Sequence, residues 1–523
     1  MRKEIKITVV SHDDKVNIGA EEKWDILAIL THDSSMTVMS TLLKSGLISG
    51  SLCGGRGDCG KCRVQFMKGG PVPTALERSV MEAEELRQGY RLSCFARPKD
   101  DCVIRLALVD EPKISIISHM IEMPQKYDQI SQQNGMTIYR KSGVPEMGEK
   151  LGATDAIIAV DLGTTTVAMQ FMDISTGCVL DTFCEMNPQR CYGADVLSRI
   201  KASCEGHREE LKRMLFNLLE RGVKQFSALG ANIRGMCIAG NTTMEHLLVG
   251  YDVSCLGISP FTPVEIGLQE YKQPGWDFPA WLVPGISTFV GGDIVAGIYA
   301  LDMFPEGGLQ DTVLLIDLGT NGEMAMTDGK RMVVTATAAG PAFEGGAGMI
   351  GSDMVANIAS LLQQGILDET GLLKEPYFTE GIDVGRPAVR MRNKEIRDLQ
   401  MAKAAVRAGI EILWKKVGCP QIKHVYLAGG FGYYLDVEAA FQIGLLPEYM
   451  HGKVSAVGNT SLAGAYRIGC DLLNGKMEKK KIEEKLETVL SINLAEQEEF
   501  EALYVRYMDL QRSDFCEGQS GAV

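Results

Sequence analysis

The chain has 523 residues, 45% hydrophobic and 23% charged, which is ordinary for a folded water-soluble protein and too long for one core, so two to four domains are expected. A formal net charge of −14 excludes a protein that wraps nucleic acid, which needs a basic face. No uncharged apolar run reaches membrane-spanning length and the start, MRKEIKITVV, lacks the apolar stretch of an export signal, so a cytoplasmic protein with no membrane partner is expected.

The first hundred residues read as short strands around a helix: EIKITVV, an amphipathic MSTLLKSG segment, a cysteine loop, RVQFM, an acidic helical MEAEELRQ and the strand CVIRLAL. The loop is SLCGGRGDCGKCRVQF, and a fourth cysteine returns in RLSCFARP. Cys53, Cys59, Cys62 and Cys94 therefore stand as C-x5-C-x2-C with a distant partner, in a loop whose Gly54, Gly55, Gly57 and Gly60 allow the backbone to wrap a small object. Several thiolates converging on one point, with loop amides aimed at the negative sulfurs, is the requirement of an iron–sulfur cluster. Zinc on four thiolates is the alternative, but zinc knuckles favour two C-x-x-C hooks and this chain has one. The other cysteines of the fourteen show no paired spacing and read as ordinary thiols, Cys102 as a strand residue. The seven histidines are scattered and read as surface or helix residues.

From about Asp110 to Thr154 the periodicity lapses and Pro112, Pro124, Pro145 and polar QISQQNG accumulate, which reads as a linker. The expected domains are thus 1–109, a linker over 110–154, and 155–523 as two lobes that divide near residue 310. The two lobes follow from a repeat. AIIAVDLGTTTVAMQFMD, from Ala156, and TVLLIDLGTNGEMAMTDG, from Thr312, each place Asp-Leu-Gly-Thr between two apolar strands. Long helical stretches, REELKRMLFNLLERGVKQF and DLQMAKAAVRAGIEILWKKVG, fill the space between such strands, and the closing segment from Met477 reads as a charged helix, a strand and a last helix.

At the first tip, Asp161, Gly163, Thr164, Thr165 and Thr166 can surround a phosphate with amides and hydroxyls, the aspartate facing a hydrated magnesium ion. Asp317, Gly319, Thr320, Asn321 and Gly322 repeat the device. VYLAGGFG closes a third apolar strand with Gly429, Gly430 and Gly432, where bare backbone can approach a nucleoside. AGNTT adds Asn241 and Thr242 at another strand end, and VGGD adds Asp293; Asp293 and Glu323 are candidates to orient an attacking water.

The cysteine spacing resembles that of the [2Fe–2S] ferredoxins, which implies a β-grasp domain, and the glycine-rich constellation resembles the actin-like (ribonuclease H-like, ASKHA) ATPases, which implies ATP and Mg²⁺ as ligands. The fold class implied is α+β and α/β multidomain. The order of parts, including NPQRCYGADVLSRI from Asn187, resembles the reductive activators of corrinoid proteins over nearly the whole chain. That resemblance implies ATP-dependent, one-electron reduction of an inactive Co(II) corrinoid to Co(I) in support of methyl transfer. Its implied partners are the corrinoid protein of a methyltransferase system and an external low-potential electron donor, with a homodimer as a candidate assembly. The physics agrees with such a pairing: plant-type clusters sit at about −400 mV, and an acceptor about 120 mV lower would be about one per cent reduced at equal poise, so a nucleotide has work to do. One expected departure is that only the short linker separates ferredoxin and ATPase, leaving no room there for the larger middle domain of some relatives. Two other readings stay open, an activator of a radical dehydratase or reductase, and an ATP-gated redox-sensing binding protein; a small-molecule kinase is a third.

Because the two domains have separate cores, Cys59→Ala is expected to abolish the visible cluster spectrum and leave nucleotide binding intact. Asp317→Ala is expected to do the reverse, which absorbance and nucleotide titration on the same preparations will check.

Overall fold

A computed structural model describes residues 3–10, 26–45, 62–106, 154–305, 311–319, 321–338, 343, 351–385 and 389–510. The chain divides into two compact units, Met1–Lys113 with Met186–His207, and Ile114–Glu185 with Arg208–Val523. Almost all of the expected linker lies outside the described residues.

The amino-terminal unit carries a five-stranded sheet in the order β2-β1-β5-β3-β4: β1 (Glu4–Val10), β2 (Ile26–Asp33), β3 (Arg63–Lys68), β4 (Tyr90–Leu92) and β5 (Cys102–Leu106). β1 runs antiparallel to β2 and parallel to β5, the mixed arrangement of a β-grasp. Alternation along β1 sends Ile5, Ile7 and Val9 inward. Helix α1 (Val38–Lys44) covers this face with Val38 and Leu42, and Val64, Phe66 and Ile104 complete the core. Buried Glu77 organises the return to β4: its carboxylate accepts from the amides of Thr74 (2.7 Å) and Leu92 (2.8 Å), closing a capping box on the way. Cys102 is a β5 residue as expected, and burial pushes its thiol up to about 12.

The larger unit contains two six-stranded sheets of matching plan. The first orders as β10-β11-β9-β6-β7-β8, from β6 (Asp155–Leu162), β7 (Thr166–Asp173), β8 (Val179–Met186), β9 (Asn232–Gly240), β10 (Gln269–Glu270) and β11 (Ala280–Leu282). The second orders as β18-β17-β12-β13-β14-β19, from β12 (Thr312–Leu318), β13 (Gly322–Thr327), β14 (Met332–Thr337), β17 (Ile422–Ala428), β18 (Val454–Gly458) and β19 (Val489–Ser491), with a separate hairpin of β15 (Ile382–Val384) and β16 (Val389–Met391). The duplication holds in the parallel pairing of each central strand, while the antiparallel register is one residue shorter at the second tip. Asp161 pairs with Ala168 and, in parallel, with Ala239, while Asp317 pairs with Glu323 and, in parallel, with Ala428.

The expected long helices are α2 (Arg208–Ser227) and α5 (Asn393–Lys416), and the closing segment forms the helix Lys479–Glu487, the strand β19 and the helix Phe500–Arg506. Between the sheets, α4 (Gly292–Ala300) crosses α7 (Thr460–Leu473), and their residues join one apolar cluster with Ile157 and Ala239 of the first sheet and Leu315 of the second. The crossing is closest at Gly464, where a Cβ would lie 2.0 Å from the Ala296 carbonyl oxygen. Gly464→Leu must push the two helices apart, and a loss of about 3 kcal/mol, within the range of core overpacking, is expected. Denaturant unfolding, with the cluster spectrum as a control for the other unit, measures it.

Candidate functional site

Both Asp-Leu-Gly-Thr segments lie at the ends of the central strands and lead into antiparallel partners, the first with a steric demand for glycine that Gly319 does not share. The strand must reverse within three residues, and at Gly163 a Cβ would meet the Thr166 carbonyl oxygen at 2.5 Å. Gly429 has φ +78° and begins the short helix α6 (Gly429–Tyr434); a Cβ there would lie 2.3 Å from Asp317 Oδ1. Its glycine is thus demanded both by conformation and by the carboxylate against it. Gly430 faces open space and Gly432 is buried against Leu427. Asn241 caps α3 (Thr242–Val249), its Oδ1 accepting from the Met244 amide at 3.0 Å while its Nδ2 donates to Thr164 Oγ1 at 2.9 Å. Thr242 Oγ1 donates to the Ser287 carbonyl at 2.7 Å, tying this loop to the one that precedes α4.

Asp293 lies in the first turn of α4 and Glu323 in β13 beside Asp317. These carboxylates feel one another across the lobes. Burial holds Asp161 up to about 6, against the pull of a 2.7 Å hydrogen bond from Asn459 Nδ2. Burial first, opposed by the Ile294 amide and reinforced by Asp161, holds Asp293 at about 7. Burial followed by the charges of Asp293 and Asp161 holds Asp317 at about 8. Glu323 is pushed well up by burial and by Asp293 and Asp317, although Asn321 Nδ2 donates to its Oε1 at 3.0 Å. Glu245, also buried, is raised by burial and by Asp293; its Oε1 accepts from the Gly240 amide at 3.1 Å. A gathering of half-buried carboxylates that cannot all ionise is built to receive positive charge. Among the described residues no three histidine, cysteine or acidic side chains form a group that could hold a metal ion.

The structure therefore places Asp161, Asp293, Asp317 and Glu323 within reach of one another's charge, with Asn241 and the Gly163 and Gly429 turns at the same strand ends. Thr320 lies outside the described residues. Asn459 and Glu245 were missed. Asn459 follows strand β18 with no phosphate-type motif around it, and only its place as the cap of α7, 298 residues from Asp161, makes it a partner. Glu245 could have been noticed as the acidic residue two positions after the second threonine of AGNTT.

In the amino-terminal unit, Cys62 and Cys94 Sγ lie 3.2 Å apart from positions 32 residues distant in sequence. They meet because Cys62 ends the cysteine loop just before β3 and Cys94 follows β4, its antiparallel neighbour; Ser93 N donates to the Cys62 carbonyl at 2.7 Å. Two soft donors converging on one point suit a shared iron atom of a cluster. Cys53 and Cys59 lie outside the described residues. The histidines depart from expectation at His32, a fully buried strand residue; His246 is a helix residue, on α3, and is buried with Nδ1 2.7 Å from the Thr242 carbonyl and Nε2 accepting from the Val264 amide.

The fold is that of a ferredoxin-like β-grasp unit and a two-lobed, actin-like unit whose lobes meet at a gathering of carboxyl groups. Comparison with known proteins narrows this. The family description of the 2Fe-2S iron-sulfur cluster binding domain matches residues 29–99, that of the RACo middle region matches 157–306, and that of the C-terminal domain of RACo, the ASKHA domain, matches 311–351 and 346–517. This chain belongs to the RACo family, the reductive activators of corrinoid proteins. It is 25% identical to the corrinoid activation enzyme RamQ of Eubacterium limosum over 80% of this chain and 88% of that protein. It is 21% identical to the [Co(II) methylated amine-specific corrinoid protein] reductase of Methanosarcina barkeri over 64% of this chain and 72% of that one. A solved reductive activator for corrinoid, iron-sulfur protein shares the fold over 98% of this chain and 99% of its own, at 24% identity and a TM-score of 0.59. The family's middle region is accordingly present, as the first lobe, and the expectation of a missing middle domain is corrected: the region is part of the duplicated ATPase plan and no insertion before it is needed. Among the described residues no helix is long and apolar enough to cross a membrane.

The raised carboxylates fix a pH dependence. Between their ordinary value of 3.8 and the raised values of about 6, 7 and 8, folded Asp161, Asp293 and Asp317 keep protons that the unfolded chain has released. Stability without nucleotide therefore falls as pH rises from about 4 toward 8. Asp317→Asn is expected to flatten the upper part of this decline, which thermal unfolding of the larger unit across that range will check.

Proposed function

We propose that this chain uses ATP to return the cobalt of a methyltransferase corrinoid protein from Co(II) to Co(I) by one electron. The observation that carries this reading is the joining, within one chain of the RACo family, of a converged thiol pair in a β-grasp unit and an interlobe carboxylate site in an actin-like unit. The names of the relatives from E. limosum and M. barkeri support the corrinoid substrate. A sugar or acetate kinase has the second site without the first; a ferredoxin has the first without the second.

In this reading Cys53, Cys59, Cys62 and Cys94 hold a [2Fe–2S] cluster, which supplies low-potential single electrons when bound. Asp161 and Asp317 hold a hydrated magnesium ion, and the Gly163–Thr166 and Gly319–Gly322 turns hold the phosphates of ATP. Gly429, Gly430 and Gly432 let the backbone approach the nucleoside. Asn241 fixes Thr164 against the phosphates, Thr242 fixes the loop before α4, and Asp293 or Glu323 orients the hydrolytic water. Asn459 keeps Asp161 aimed, because its side chain is itself locked by the Leu462 amide at 2.9 Å.

ATP contributes by differential binding. It favours the lobe arrangement in which Asp161 and Asp317 share its magnesium, and that arrangement binds the Co(II) corrinoid protein more tightly than the nucleotide-free one. Docking alters the surroundings of the cobalt enough to bring its potential within reach, and an external low-potential donor restores the activator afterwards. No residue of this chain needs to act as a covalent nucleophile.

Mixing Co(II) corrinoid protein, reductant and this protein should give the Co(I) absorbance band only when ATP is added. Asp317→Asn should slow the ATP-dependent rate by about 100-fold, the scale of losing a preorganised electrostatic partner. Equal Co(I) formation without nucleotide would refute the reading.

A further inference from the structure

One buried group stands outside every role given above. His32, on the inner face of β2 opposite Ile5, is fully buried in the amino-terminal unit. Its Nδ1 lies 2.7 Å from Thr41 Oγ1, and its Nε2 has no hydrogen-bond partner. Burial pushes the imidazole pKa down, so the ring is neutral near pH 7. A leucine at this position would pack as well and leave no orphaned nitrogen, so the ring is costly as mere filling.

The helix that His32 grips is the one on which the cysteine ligands depend. Thr41 lies in the last turn of α1. At the start of α1, the Val38 amide donates to the Ala96 carbonyl and the Met39 amide to the Ser93 carbonyl, both at 2.9 Å, so the helix is bonded to the backbone on either side of Cys94. The Met39 side chain packs in one apolar cluster with Cys94, against which Cys62 also rests. The chain leaving α1 reaches Cys53 nine positions after Lys44. α1 is thus bonded at its start to Ser93 and Ala96, on either side of Cys94, and held further along by His32 through Thr41.

We infer that His32 is a positioning residue for the iron–sulfur cluster, acting through Thr41 to set the seat of α1 and, through it, the placement of Cys94 and Cys62. It touches no ligand and transfers no proton or electron. The chemistry it governs is the reduction potential, because amide and sulfur placement around a cluster tune that potential. The inference rests on the four cysteines binding a cluster, and a failure of that assignment shows separately, as a wild-type protein with no iron and no paramagnetic signal after reduction.

The test uses the full chain with its cluster reconstituted. Electron paramagnetic resonance spectra and the oxidised-to-reduced ratio at a fixed poise are recorded for wild type, His32→Leu, His32→Asn, Thr41→Val, Thr41→Ser and the double variant His32→Leu/Thr41→Val. Asparagine can place an amide where Nδ1 stands, and serine keeps the hydroxyl. His32→Leu and Thr41→Val are expected to change the ratio in the same direction by about threefold or more, about 28 mV at 59 mV per decade. The double variant should go no further than either single, and His32→Asn and Thr41→Ser should stay near wild type. Thr41→Val, at a half-buried position, carries the test if His32→Leu does not fold. Wild-type potential and spectrum in Thr41→Val with full iron content, additive single changes, or a His32→Asn shift as large as that of His32→Leu would each overturn the inference.

Discussion

The constraint on which this protein turns is the burial of acidic side chains, crowded together at the ends of its central strands. Asp161 comes from one sheet, Asp317 and Glu323 from the other, and Asp293 from the helix between them; burial raises the proton affinity of all four, and neighbouring carboxylates raise that of Asp293, Asp317 and Glu323 further. An apolar cluster common to both sheets and two helices crossing at Gly464 hold these ends near each other. The folding energy of the lobes therefore sustains a local strain, a set of carboxyl groups that burial and neighbouring charge keep protonated well above their ordinary range. In the proposed cycle a magnesium nucleotide relieves that strain, which gives the lobes a reason to close that depends on the ligand.

The cysteine-bearing unit answers a different demand. There, thiols from a loop and from the far side of a hairpin must be held a few ångströms apart without relying on the other unit. The β-grasp achieves this with few parts: β3 and β4 bring Cys62 and Cys94 alongside, Glu77 locks the turn that leads into β4, and α1 is bonded to the backbone around Cys94. Electron delivery and nucleotide response thus rest on separate cores, as a proposed activator that must visit both a donor and an acceptor requires.

Much of this was legible in the sequence, for particular reasons. The duplicated Asp-Leu-Gly-Thr segments reported the two sheets because apolar strands ending in tight turns leave a strong pattern, and the structure repeats the strand–turn–strand plan and the parallel neighbour of each central strand. The cysteine loop reported its chemistry because thiolate spacing is a direct constraint. What was hidden was mostly long-range. Asn459 looks like any helix cap until the fold brings it to Asp161. β2 was not expected as a strand, because ILAILTHD exposes Ile26, Leu27 and Ile29 on an edge of the sheet and so lacks clean alternation. His32 was read, with the other scattered histidines, as a surface or helix residue, and its burial is set by β1 and α1, which pack against it from elsewhere in the chain. The assignment of 186–207 to the amino-terminal unit likewise follows from contacts, which NPQRCYGADVLSRI does not announce.

The most direct test of the central claim is the proton count on nucleotide binding. Titration calorimetry of magnesium ATP into the protein near pH 7, in buffers of different ionisation enthalpy, separates heat of binding from heat of proton exchange. If the magnesium ion that arrives with the nucleotide drives Asp293 and Asp317 into their ionised forms, protons are released, and the release shrinks in Asp317→Asn. Binding with no proton release, or with proton uptake, would contradict the claim that these carboxylates sense the nucleotide.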